Sequence, residues 1–169
     1  MWDIVNSAVM LIGKVLQKDQ VKIIIDVPED LPKTRCRSQQ IQQVVMNLLT
    51  NARDALNSRY HGHDENKTIS VCSRVFEREG EPWIRTTVED HGTGISTAQM
   101  ERIFEPFFTT KARDKGTGLG LSVSHGIIAE HLGELTVESE EGEYTRFHIE
   151  LRVNNNWSQM SDDQLAGEV

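Results

Sequence analysis

Gln43, Asn47, Asn51 and Asp54 follow one another at intervals of three and four residues, so on a helix turning about 100° per residue they form one polar stripe. Side-chain amides bordering an apolar face are costly to bury unbonded; the stripe either bonds neighbouring backbone or meets a ligand. Asp90-His91-Gly92-Thr93-Gly94-Ile95 places a carboxylate and two glycines in one short run. The carboxylate can accept a hydrogen bond from an exocyclic amine, and the glycines let backbone approach a flat ring. A tight turn closed by its own Asp would use the same residues. Gly116-Thr117-Gly118-Leu119-Gly120-Leu121 opens a helical pattern, where free N–H groups and the positive end of the helix dipole favour phosphate. It matches neither the P-loop nor the Rossmann spacing, and a flexible hinge is the alternative. Between these runs, Ile103-Phe104-Glu105-Pro106-Phe107-Phe108-Thr109-Thr110-Lys111, with Arg113 and Lys115 following, has the composition of an aromatic anchor carrying a basic lid over phosphates, or of a solvated surface loop.

The elements that must position these residues follow from periodicity. Trp2, Val5, Val9, Ile12 and Leu16 mark an amphipathic helix over 2–16. A β-branched strand covers Lys22 to Val27. A second helix begins near Ser38, its expected N-cap, and presents Ile41, Val44, Val45, Leu48, Leu49, Ala52 and Leu56 on one face. It is expected to end before a polar loop running from Asn57 to Lys67. Strands over 68–75 and 83–89 flank the Glu79-Gly80-Glu81 turn as an antiparallel hairpin. Ser96 with Gln99 predicts a capping box on a short helix. A third long helix runs from Leu121 to Leu132 and is stopped by Gly133. The last strands cover 134–139 and 145–153. In the second of them Phe147, Ile149, Leu151 and Val153 alternate with Arg146, His148, Glu150 and Arg152, as in a half-buried strand. The expected fold is α/β: a two-layer sandwich with helices on one face of a mixed sheet. It forms one domain over residues 1–153, followed by a polar tail or linker over 154–169.

Composition narrows the partners. The chain has 169 residues and a formal net charge of −8. Nucleic acid is therefore not expected as the main partner, because counterion release needs clustered Lys and Arg. No run approaches the ~18 uninterrupted apolar residues of a membrane span. Cys36 and Cys72 lack metal or redox spacing. A reduced, cytoplasmic setting with no membrane contact by this domain fits both points.

Taken in order, Asn47-x-x-x-Asn51, Asp90-x-Gly92-x-Gly94-Ile95, Phe104-x-Pro106-Phe107 and Gly116-Thr117-Gly118-Leu119-Gly120-Leu121 resemble the four nucleotide-binding boxes of sensor histidine kinases. The resemblance implies the Bergerat type of sandwich, with ATP and Mg²⁺ as cofactors. Asp90 would read the adenine amino group, with Gly92, Gly94 and Ile95 along the base and Thr145 near the purine. Asn51 would carry the metal. Gly116, Thr117, Gly118, Leu119, Gly120 and Leu121 would hold the phosphate tail. Lys111 would meet the γ-phosphate and offset charge that develops during transfer. Arg37 and Tyr144 depart from the family pattern, and Asp54 stands where some members have Lys, so phosphate contact is not carried over to it.

The same fold serves ATP-hydrolysing clamps, in which the residue four before the metal-binding Asn resembles a general base and is Glu. Here it is Asn47, an amide with no usable proton affinity near neutral pH. A neutral imidazole already has a lone pair for attack, which favours transfer to histidine. The implied partners are a histidine-containing dimerisation domain of the same kinase and, indirectly, a response regulator receiver domain. The isolated domain would be a monomer and the full kinase a homodimer. His63-Asp64 lies in a polar loop and does not resemble a helical acceptor. The alternatives are a nucleotide-sensing module without transfer activity and an ATP-driven clamp.

Overall fold

The computed structural model describes residues 1–111 and 116–154. Its elements are α1 (Trp2–Lys18), β1 (Lys22–Asp26), α2 (Ser38–Arg59), β2 (Thr68–Arg78), β3 (Glu81–Asp90), α3 (Thr97–Met100), α4 (Gly120–Glu130), β4 (Glu134–Glu140) and β5 (Tyr144–Arg152). The strands form a single mixed sheet in the order β1-β2-β3-β5-β4. β1 runs parallel to β2, and the remaining neighbours are antiparallel. The expected α/β sandwich is therefore the observed one. Each apolar residue predicted for the inner face of α2 is buried, against α1 on one side and β2, β3 and α4 on the other.

Several boundaries differ from the sequence expectation. α2 is not capped by Ser38: its N-cap is Arg37, without a side-chain cap. Instead the Arg37 backbone N–H donates to His131 Nε2 at 3.0 Å, while His131 Nδ1 bonds the Ile127 carbonyl at 2.7 Å. Both bonds are met by one neutral tautomer of this fully buried ring, which ties the start of α2 to the end of α4. α2 also continues past Leu56, because its polar last turn is bonded rather than loose. Asn57 donates to Asp19 at 2.9 Å, and Arg59 reaches the Gly92 carbonyl at 2.9 Å.

The hairpin turn is Glu79-Gly80, with both residues at positive φ, the conformation that matches the twist of a two-residue hairpin; the strands accordingly run right up to it. α4 ends in a Schellman arrangement whose left-handed residue is Leu132 rather than Gly133. The Gly133 N–H bonds the Ile128 carbonyl and that of Leu132 bonds Ala129. Gly133 is needed for space, since a Cβ there would lie 2.4 Å from the Glu150 carbonyl oxygen.

β5 is not half-buried. His148 and Glu150 on its outward face are covered along with the inward residues, because long side chains of the open sheet face lie over them. Arg78 and Arg85 both pair with Glu150, and Trp83 lies under Arg78 and Arg152 at 4.8 and 5.0 Å. On the helix side, Ser73 and Thr86 share a fully buried hydroxyl pair at 2.8 Å. Ser73→Ala is expected to cost about 1–3 kcal/mol by leaving the Thr86 hydroxyl unpartnered, and the added Thr86→Val to recover much of that loss. Urea unfolding checks this. Wild-type stability in the single variant would contradict it.

Candidate functional site

The C-terminal half of α2, the end of β3, the starts of β5 and α4 and the segment between α3 and α4 surround one cavity of ≈1140 Å³. From the sequence-predicted set, Asn47, Asn51, Asp90, Gly94, Ile95 and Thr145 line it. So do Lys111, Gly116, Thr117, Gly118, Gly120 and Leu121. Gly92 and Leu119 are not among its lining residues. Asp54, which the family pattern left without a role, is.

Asp90 closes β3 and is 4% exposed. Its Oδ1 accepts the Gly92 N–H at 2.8 Å. Burial pushes its carboxyl up to about 7, against the pull of the Gly92 N–H and with a small contribution from the neighbouring Glu89 charge. Glu89 itself is held below the usual carboxylate range by hydrogen bonds from Arg146. Thr145 stands opposite Asp90 across the β3–β5 ladder and is buried, 3.1 Å from Ser139 Oγ. Ser139 also accepts the Ile95 N–H at 2.9 Å, so the run after Asp90 is fastened to the β4–β5 hairpin. The glycines of that run serve the protein's own packing. A Cβ on Gly94, at φ +65°, would lie 2.1 Å from the Glu140 carbonyl oxygen, and one on Gly92 would lie 2.6 Å from Ala55.

On α2, Asn47 does not face the cavity as a free amide: its Nδ2 donates to the buried Ser124 Oγ at 3.0 Å. One turn on, Asn51 Oδ1 accepts from Lys111 Nζ at 3.1 Å, and Asp54 Oδ2 lies 2.6 Å from the same ammonium. Two hard oxygens thus converge on a cation. That donor set suits Mg²⁺, which binds through one or two carboxylate or carbonyl groups while keeping its remaining positions for phosphates and water.

α4 opens with no side-chain cap and no acidic residue in its first turn. Among the described residues its first N–H groups therefore remain available to an anion. Gly120 lets this end press on α2, since a Cβ would lie 2.4 Å from Asn47 Oδ1. Gly118, at φ +67°, accepts the Phe107 N–H at its carbonyl, and a Cβ there would lie 2.4 Å from the Phe107 carbonyl carbon.

The aromatic run divides in a way the sequence did not show. Phe104 stacks near His125, with ring centroids 5.0 Å apart, and Ile103 is buried. Phe107, by contrast, sits at φ +66° and is 74% exposed, so it is not the anchor it was expected to be. The capping box of Ser96 and Gln99 is present as expected. Arg113 and Lys115 of the expected lid lie outside the described residues, as does the tail beyond Asn154. Among the described residues no helix is long and apolar enough to cross a membrane.

A buried acid and an uncapped helix start bordering one cavity suit a nucleotide, and comparison with known proteins agrees. The model of the family described as histidine kinase-, DNA gyrase B-, and HSP90-like ATPase matches residues 36–155. Sporulation kinase E of Bacillus subtilis is 34% identical over 161 residues, covering 95% of this chain and 20% of that kinase. The two-component sensor PprA of Pseudomonas aeruginosa is 40% identical over 151 residues, covering 86% of this chain and 15% of that protein. Among solved structures, the nucleotide-free catalytic domain of histidine kinase ThkA superposes with a TM-score of 0.74 at 27% identity, over 90% of this chain and 91% of that one. The chain belongs to this ATPase family. Within it, the fold and the relatives are those of a histidine kinase ATP-binding catalytic domain. It spans about one fifth or less of the length of sporulation kinase E and of the sensor PprA.

Proposed function

We propose that this domain transfers the γ-phosphoryl group of Mg-ATP to a histidine carried on a separate dimerisation segment of a two-component kinase, from which a response regulator is then served. The observation that carries transfer over hydrolysis is Asn47. Its amide is committed to Ser124, and the cavity's only carboxylates among the described lining residues are Asp54, engaged by Lys111, and Asp90, bonded to Gly92. Among the described lining residues no group is placed to strip a proton from water, whereas an imidazole nucleophile needs none removed before it attacks.

In this reading the ionised Asp90 accepts from the adenine amine, with Gly94, Ile95 and Thr145 bordering the base. Asn51 would hold Mg²⁺, which would supply positive charge to the phosphates. The uncapped start of α4 and the glycines from Gly116 to Gly120 receive the phosphate oxygens. Lys111, once free of α2, is within the same cavity to meet the γ-phosphate. The exposed Phe107, with Leu119 and Val123 also exposed nearby in the chain, offers apolar surface to the histidine-bearing segment.

The isolated domain is accordingly expected to bind Mg-ATP while neither labelling itself nor releasing phosphate. Steady phosphate release at the rates of clamp ATPases would contradict this. In Asn47→Glu a carboxylate stands where the clamps carry their base, and slow hydrolysis is expected to appear in a phosphate-release assay.

A further inference from the structure

We propose that Asn51 and Asp54 form one divalent-cation seat, and that the Lys111 ammonium fills this seat until Mg²⁺ arriving with a nucleotide displaces it. The inference rests on the nucleotide site described above and adds two things to it: a role for Asp54 and a competition between a side chain and the metal.

Asn51 and Asp54 are three residues apart on α2, on the same side of the helix. Their oxygens lie 3.1 and 2.6 Å from a single nitrogen, Lys111 Nζ. Both the Lys111 and Asp54 side chains are 33% exposed, so the pair opens onto the cavity that both residues line. Asp54 is also held from behind. Its Oδ1 is 3.5 Å from Arg53, and Arg53 in turn pairs with Asp19. This second ion pair favours the carboxylate's keeping its place on α2 when Lys111 leaves.

Charge gives the arrangement a consequence. A triphosphate entering a cavity that holds an unneutralised Asp54 would be repelled at short range. The Lys111 ammonium cancels that charge in the free protein. Mg²⁺ brings twice the charge to the same oxygens at shorter distance, about 2.0–2.1 Å, so it and the ammonium cannot occupy the seat together. Displacement frees Lys111 for the phosphates. Nucleotide without Mg²⁺ leaves the ammonium where it is.

The test uses ADP, which has no γ-phosphate for Lys111 to contact. The Mg²⁺ midpoint for ADP binding is measured by calorimetry on the full chain. Lys111→Met removes the competitor and is expected to lower the midpoint about two- to fivefold, the fold-change of a partly exposed ion pair. In the Lys111→Met background, Asp54→Asn removes the seat's charge and is expected to raise it about tenfold. Independently of nucleotide, brief acetylation read by peptide mass spectrometry is expected to label Lys111 several-fold faster in Asp54→Asn than in wild type, with Lys14 as the internal standard. Adenosine binding that persists while Lys111→Met leaves the midpoint unchanged or raises it overturns the competition and leaves the nucleotide site standing. Equal labelling of Lys111 in both proteins overturns it as well. Loss of adenosine binding in the wild-type chain overturns both the seat and the site.

Discussion

Asn51→Ala is expected to abolish phosphoryl transfer from Mg-ATP, a fall of at least about 10²-fold, the scale of removing one preorganised partner of developing charge. The cause is local. Asn51 supplies one of the two oxygens that converge on a cation in the cavity, and an alanine offers the metal nothing. Binding should weaken in a Mg²⁺-dependent way for ATP and ADP. Adenosine, which has no phosphate to bridge, should bind almost as before, because Asp90 and Thr145 lie on β3 and β5 rather than on α2. Calorimetry with adenosine, ADP and ATP at several Mg²⁺ concentrations separates these outcomes. Adenosine weakened as much as ATP would show that Asn51 is not the metal residue.

Asp90→Asn is expected to fail differently. The Gly92 N–H must be accepted by the side-chain oxygen at position 90, so an Asn there keeps its Oδ1 on Gly92 and turns its NH₂ to the cavity. That donor then faces the adenine amine, also a donor. The loss is roughly 1.5–3 kcal/mol, or about ten- to hundredfold in affinity, shared by adenosine, ADP and ATP and insensitive to Mg²⁺. Preserved ADP affinity would remove Asp90 from the adenine site.

The raised carboxyl pKa adds a pH signature to the same residue. At about 7 in the nucleotide-free fold against about 4 unfolded, the folded state binds the Asp90 proton more tightly. This group's contribution to stability is therefore fully present below pH ~4 and lost as pH rises to about 7, on the order of 4 kcal/mol in all. Asp90→Asn should therefore gain stability relative to wild type at pH 8 and lose that advantage toward pH 5, in paired urea titrations. Adenosine binding needs the ionised acceptor, so wild-type affinity should fall as pH drops below 7, while the variant stays flat.

Much of this was legible in the sequence, because it depended on local rules. The apolar face of α2 was complete from periodicity alone, and residue type placed the Ser96–Gln99 box and the hairpin turn, the latter one residue too long because Glu81 already belongs to β3. Three of the four motifs converge on the cavity, Asn47 and Asn51 from within α2, Asp90 from the end of β3 and Gly120 from the start of α4, whereas Phe104, Pro106 and Phe107 are not among its lining residues.

What escaped was decided by contacts distant in sequence. Nothing near Arg37 announces that His131 will accept its N–H. Three phenylalanines in one run look alike until Gly118 holds Phe107 outward. Glu150 follows the alternation of an exposed residue, yet is 1% exposed because two arginines from β2 and β3 lie over it. Asp54 looked like the polar side of a helix, and only the fold brings Lys111 to it.

Mg-ATP bound in this cavity is expected to phosphorylate a histidine. The most direct measurement adds [γ-³²P]ATP and Mg²⁺ to the domain together with a histidine-bearing dimerisation segment of the parent kinase, and then tests the stability of the labelled product. Label is expected on the segment, lost in acid and kept in base, as a phosphoramidate should be, and absent with Asn51→Ala. Label that survives acid, or free phosphate released with the segment unlabelled, would contradict it.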